Sequence, residues 1–207
     1  MYINKYGGLL VAIDGPNGVG KSTLIDGVKK SLMKLNEPVF VTKEPSSTQL
    51  GKFTREIAES NDGNSLACLV AADRYLHLNI EVIPYLKRKY IVVLDRYVLS
   101  SLILQRIDGV DIDFILSINN KIIQPDLQFA IIADSDVIQQ RLQERDTKTR
   151  FERENKTVEE LKYLNEGVKY LTRLGINVMK LNNNNDLAQN IAFMTEEIKK
   201  QWGEIRT

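Results

Sequence analysis

The chain has 207 residues, 43% hydrophobic and 27% charged, which suits one folded domain with a full core and excludes a disordered chain. Lys plus Arg is 28 against 27 for Asp plus Glu, a net charge of +1, so neither a nucleic-acid coat nor a polybasic membrane anchor is expected. One cysteine, Cys68, excludes an intramolecular disulfide, and one histidine, His77, excludes a histidine-rich metal site; both are read as packing or surface residues.

The first residues, MYINKYGG, carry a single Lys ahead of the apolar run LLVAI, too short for a signal-peptide core or a bilayer span. A cytoplasmic protein with no membrane partner is therefore expected. Leu9 to Asp14 (LLVAID) reads as a strand. Gly15-Pro16-Asn17-Gly18-Val19-Gly20-Lys21-Ser22-Thr23 follows it and fits G-x-x-x-x-G-K-[ST]. Glycines there let backbone N–H groups wrap an anion, and the helix expected to run on to about Asn36 adds its positive N-terminal end. In this reading Lys21 bridges the outer phosphates of a nucleoside triphosphate and Ser22 ligates Mg²⁺.

Val39 to Thr42 is the next strand, and Arg55 and Arg74 lie in the stretch that follows it. Ile91 to Asp95 ends in Asp95-Arg96. A carboxylate at a strand tip beside a phosphate loop suits the Mg²⁺ shell, and Arg96 suits a bidentate phosphate clamp. Asn120-Lys121-Ile122-Ile123 approaches the guanine-reading N-K-x-D but lacks its Asp, which argues against a GTPase. Leu127 to Ala133 is a fourth strand.

A charged tract runs from Arg141 through Arg145, Arg150 and Arg153 to Lys156. It is read as a lid, about residues 144–156, that brings arginines to the transferring group. Thr157-Val158-Glu159-Glu160 then predicts a capping box, with an apolar stripe of Val158, Leu161, Leu164, Val168, Leu171 and Leu174. Ile176 to Leu181 is the last strand, Asn182 to Asn185 a polar turn beyond it, and Leu187, Ile191, Met194, Ile198 and Trp202 a second helical stripe. Near-continuous apolar strands alternating with helices imply an α/β fold: a three-layer sandwich of about five parallel strands with helices on both faces, forming one domain with a small lid.

These segments together, in order, resemble the thymidylate kinase family of P-loop nucleoside monophosphate kinases. VAIDGPNGVGKST is similar to its phosphate loop, VFVTKEPSSTQLG to its T-R-E-P-G-G-T segment, LVAADR to F-x-A-x-R, VLDRYVLSSLILQ to D-R-[YH]-x-x-S-S-x-x-x-Q, QPDLQFAIIADSDVIQQRLQERD to its P-D-L run, and Thr149-Arg150-Phe151-Glu152 to D-R-[FY]-E. The resemblance implies transfer of the γ-phosphoryl of ATP to dTMP with Mg²⁺, by a cytosolic homodimer. The donor nucleotide falls to Gly15, Asn17, Gly18, Val19, Gly20, Lys21, Ser22, Thr23 and Arg141, with Arg141 on the adenine side. The acceptor's phosphate falls to Arg55, Arg74 and Arg96, its base to Ser101 and Gln105, and Glu44 stands at the family's Glu. Ser22 and Asp95 are the implied metal ligands. Gly18 stands where one branch of the family has a catalytic Arg, so the chain resembles the bacterial branch, with Arg145, Arg150 and Arg153 as lid candidates beside Lys21, Asp95 and Arg96.

Two departures bear on specificity. Val70 stands where the family has a Phe that stacks on thymine, a contact worth about 1–3 kcal/mol elsewhere, and Asn17 stands where it has an acid. Looser base selection is expected. Two alternatives remain: a kinase for another (deoxy)nucleotide or a deoxynucleoside, and a nucleotide-binding module without turnover.

Overall fold

The structure is a computed structural model that describes residues 1–146, 148–154 and 156–206. Five strands form one sheet in the order β2-β3-β1-β4-β5: β1 (Leu9–Asp14), β2 (Val39–Lys43), β3 (Ile91–Asp95), β4 (Leu127–Ile132) and β5 (Val178–Asn182). Each adjacent pair is parallel. The three central strands are buried almost throughout, as their unbroken apolar runs require, while β2 and β5 at the edges are only partly covered.

Side chains alternate between two cores. From β1, Leu10 and Ala12 join Val92, Leu94 and Ala130 on one face. Leu9, Val11 and Ile13 join Ile91, Val93, Phe129 and Ile131 on the other. This is the period-2 alternation of a sheet covered on both sides. The first face is covered by α3 (Gly63–His77), α4 (Ile83–Lys87), α5 (Val98–Ile107), α6 (Ile112–Ile118) and α9 (Thr157–Arg173). The second is covered by α1 (Lys21–Lys34), α7 (Ser135–Gln143) and α10 (Leu187–Arg206). The expected three-layer α/β sandwich is the observed one.

Local expectations hold less evenly. Leu164, Val168 and Leu171 of α9 are buried, but Val158 and Leu174 at its ends are 67% and 54% exposed. The capping box expected at Thr157–Glu160 is absent, because Glu160 is drawn to the phosphate loop instead of back to its own helix end. A reciprocal cap forms one helix earlier, in α8 (Arg150–Arg153), where the Thr149 N–H donates to Glu152 at 2.8 Å. Of the expected lid, Thr147 and Asn155 lie outside the described residues. Among the described residues, no helix is long and apolar enough to cross a membrane.

The carboxyl ends of all five strands lie along one edge of the sheet, where crevices in such folds receive ligands. Phe129, fully buried at the middle of β4, tests this core directly. Phe129→Ala is expected to cost about 3–5 kcal/mol in denaturant-monitored unfolding; a near-neutral result would show that β4 is not central.

Candidate active site

The loop after β1 is shaped by backbone conformations that favour glycine. Gly18 has φ +77° and Gly20 has φ +95°. A Cβ on Gly20 would stand 2.5 Å from Asn183 Nδ2, and one on Gly18 would stand 2.7 Å from the Leu142 side chain of α7. An arginine at position 18 would therefore have to shift the Leu142 side chain and adopt a strained positive φ. The first turn of α1 carries no acidic residue, which leaves its N-terminal dipole free for an anion. Ser22 and Thr23 are exposed there.

Lys21 is 6% exposed and folds back over the loop, donating to the Gly15 carbonyl at 2.9 Å and the Pro16 carbonyl at 2.8 Å. Burial, helped by the neighbouring positive charge of Arg96, lowers its pKa to about 7. Its hydrogen bonds go to neutral carbonyls, and the charges of Asp95, Glu160 and Asp14 only partly oppose the lowering.

Behind the loop, the fully buried Asp14 accepts from the Tyr97 N–H at 2.8 Å, the Ser100 N–H at 3.0 Å, the Ser100 hydroxyl and Gln128 Nε2 at 3.0 Å. Burial raises its pKa against those bonds. The tip of β1 is thereby tied to the start of α5. Arg96 lies in the junction at φ +73°, an unusual conformation for a residue with a side chain. Its N–H donates to the Ile13 carbonyl at 3.0 Å, and its guanidinium donates to Asn17 Oδ1 at 2.6 Å and Ser100 Oγ at 3.3 Å.

Asn17 is held from the other side by Glu160, which accepts from its N–H at 2.7 Å and from Nδ2 at 3.2 Å. Burial raises the Glu160 pKa, opposed by both Asn17 bonds. An amide at position 17 satisfies Arg96 and Glu160 together, and an acid there would oppose Glu160.

Two pockets flank the loop. A cavity of about 320 Å³ is lined by Asn17, Glu44, Arg55, Val70, Arg74, Arg96, Ser101 and Gln105, every residue expected to hold the acceptor, and also by Asp95. Gln105 is 4% exposed, and its Oε1 is buried without a partner. Arg74 is 1% exposed; Nε donates to Glu44 Oε2 at 2.7 Å, Nη2 to Ser101 Oγ at 3.0 Å, and Nη1 to Asn119. Arg55 donates to the carbonyls of Pro45 and Ser46. The segment between them is anchored by Asp73, which accepts from the Ser46 N–H and hydroxyl, each at 2.6 Å.

The second cleft, about 360 Å³, is lined by Gly18, Gly20 and Thr23, by Arg141 and Arg145, and by Asn183 to Asn185. The asparagine turn is part of this wall. Asn183 Nδ2 and Arg141 Nη1 both donate to the Val19 carbonyl, at 2.8 and 3.2 Å, and Arg141 Nη2 donates to the Asn183 and Asn184 carbonyls.

The lid candidates separate. Arg145 lines the second cleft and pairs with Glu152. Arg150 pairs with Asp108 at 2.9 Å and Arg153 with Glu59 at 2.8 Å, and Thr149 and Phe151 of the same segment line the first cavity. Asp14, Asp73, Glu160 and Phe151 were not singled out by sequence. The first two and Phe151 stand inside quoted segments without a role of their own, and Glu160 fits a helix cap. No cluster of three His, Cys, Asp or Glu suited to a metal ion occurs among the described residues.

A parallel sheet with a phosphate loop at the tip of its central strand and an arginine-lined cavity beside it is the architecture of P-loop kinases. The thymidylate kinase family model matches residues 13–191, and the chain belongs to that family. It is 37% identical over 149 residues to a probable thymidylate kinase of Caldivirga maquilingensis, covering 70% of this chain and 73% of the relative. It is 35% identical over 156 residues to a thymidylate kinase of Caldicellulosiruptor saccharolyticus, covering 72% and 76%. A probable thymidylate kinase of Methanocaldococcus jannaschii is 36% identical over 141 residues, covering 67% and 71%.

The Lys21 environment has a measurable consequence. Because burial lowers the Lys21 pKa to about 7, a triphosphate that meets this amine is expected to favour its charged form and to draw in a proton above that pH. Calorimetry in buffers of different ionisation enthalpy measures that uptake. Lys21→Met is expected to abolish it, and absence of uptake in the unaltered protein would show that Lys21 does not meet the phosphates.

Proposed function

We propose that the chain transfers the γ-phosphoryl group of ATP to dTMP, giving ADP and dTDP. The observation that carries this reading is that the acceptor residues share one cavity that adjoins the phosphate loop at Asn17, with the second cleft on the other side. Two nucleotides bound in them meet end to end.

In this reading the phosphates of ATP lie in the loop, with Lys21 released from the Gly15 and Pro16 carbonyls to bridge the outer phosphates. Arg55 and Arg96 hold the acceptor's phosphate. Arg74, shared by Glu44 and Ser101, links that end to the base, where the orphaned Gln105 Oε1 accepts from the thymine N–H. An oxygen of the dTMP phosphate attacks the γ-phosphorus, the bond to the bridging oxygen breaks, and ADP carries away the electron pair. Arg145, released from Glu152, offsets charge on the transferring group.

The Ser22 hydroxyl and the Asp95 carboxylate, two hard oxygen donors, would suit Mg²⁺, which keeps waters and takes phosphate oxygens. When bound it neutralises charge on the β- and γ-phosphates. The reading includes a homodimer, supported by the exposed Leu76 and Ile80 one helical turn apart, and a cytoplasmic location, which suits the exposed free Cys68.

ADP release with Mg·ATP and a panel of nucleosides and monophosphates tests the function. dTMP is expected to give the highest rate, and a free nucleoside preferred over every monophosphate would overturn the reading. Lys21→Ala is expected to abolish transfer while the circular dichroism spectrum is kept. Gln105→Leu is expected to lower kcat/KM for dTMP roughly tenfold by removing a buried acceptor. Val70→Phe is expected to raise kcat/KM for dTMP relative to other monophosphates; an unchanged ratio would place the base elsewhere in the cavity.

A further inference from the structure

The single histidine lies one helical turn after Arg74, at the end of α3, fully buried. Beyond it the helix widens into a π-turn, Leu78–Val82, a form often found where function bends a helix. That turn brings Glu81 to His77: Nε2 lies 2.8 Å from Glu81 Oε2 and 2.9 Å from Thr42 Oγ1, whose hydroxyl donates to Glu81. On the other side Nδ1 lies 3.6 Å from Glu44 Oε1, and both atoms are buried without another partner. Glu44 Oε2 holds Arg74 Nε. The groups facing the imidazole are thus Thr42 from β2, Glu44 from the segment after it and Glu81 from the π-turn. Arg74, on His77's own helix, stands behind Glu44.

A neutral imidazole cannot satisfy this setting. With one N–H, either Glu81 or Glu44 faces a ring lone pair. The imidazolium offers an N–H to each carboxylate and completes an alternating series, Glu81 negative, His77 positive, Glu44 negative, Arg74 positive. We propose that His77 is a positioning residue for the acceptor nucleotide: as an imidazolium between Glu81 and Glu44 it fixes Glu44, and through Glu44 it sets the Arg74 guanidinium in the wall of the acceptor cavity. This rests on reading that cavity as the acceptor site. Burial acts to lower the His77 pKa, but the bonds and charges of Glu44 and Glu81 prevail and raise it. Loss of the proton at higher pH turns a lone pair toward a carboxylate and loosens the series. The ATP cleft, on the far side of the loop, is unaffected.

Because there is one histidine, its Cε1 proton resonance needs no assignment. Its titration midpoint in the unaltered protein is expected above 6.5. Saturating dTMP is expected to raise it further, since a ligand that prefers the protonated form must favour protonation reciprocally. Glu81→Gln is expected to lower it. In steady-state assays His77→Gln is expected to raise KM for dTMP roughly tenfold, the effect of about one charge-assisted bond, with KM for ATP unchanged. Glu81→Gln acts in the same direction and serves if His77→Gln fails to fold.

The ratio of kcat/KM for dTMP between the unaltered protein and the variant is expected to fall as pH rises through the midpoint. Lys21 and the substrate phosphate cancel in that ratio. The proposal is overturned if the midpoint ignores dTMP, if both KM values rise together, or if the ratio is flat with pH. Failure of the function itself looks different: the unaltered protein then neither binds dTMP nor releases ADP with it, and both readings fall.

Discussion

The carboxylate of Asp14 is the joint from which both pockets hang. It sits at the end of β1, out of water, and accepts four donors from the start of α5 and from Gln128 on β4. A buried charge is tolerated only when its lone pairs are filled, and the Tyr97 N–H and Ser100 hydroxyl have Asp14 as their acceptor here. The constraint is therefore mutual. The tip of β1, where the phosphate loop begins, and the turn after β3, where Asp95 and Arg96 stand, keep one relative position. The positive φ of Arg96 is held by this over-determination, and the side chain is aimed at Asn17 and not outward.

Around that joint, the cations lining the two pockets already have partners within the protein. Lys21 rests on carbonyls, Arg74 on Glu44, Arg145 on Glu152. The Arg74–Glu44 pair is almost completely out of water, with side chains 2% and 4% exposed, so removal of either member leaves an uncompensated charge. Arg145, by contrast, is 47% exposed and its pair is open to exchange. The Arg74–Glu44 pair thus lies inside the first cavity, while Arg145 stands at the more open second cleft.

The lid also alters the meaning of Val70. That residue leaves one wall of the acceptor cavity aliphatic, and aromatic surface comes instead from Tyr97 and from Phe151, which α8 carries in from the lid. Its helix is tied to the rest of the fold by the Arg150–Asp108 and Arg153–Glu59 pairs.

Much of this was legible in the residues. Unbroken apolar runs identified buried parallel strands, because a strand covered on both faces has no polar side to show. The Gly-rich segment after LLVAID identified the phosphate loop, because backbone wrapping around an anion demands glycine at fixed spacing. Strand-tip placement marked Asp95 and Arg96, and all eight expected acceptor residues line one cavity. What local pattern could not reach were partners distant in the chain. Glu160 fits a capping box equally well and is taken by Asn17, 143 positions away. His77 reads as packing until Thr42 and Glu44 are brought to it by β2. Arg150 and Arg153 are as cationic as Arg145, but Asp108 and Glu59 hold them on the acceptor side. Periodicity and motif spacing are local properties of the backbone, so the sequence alone determined the layers and the phosphate loop. Which buried charge meets which is set only when the sheet and its helices close, so the tertiary structure decided the partners.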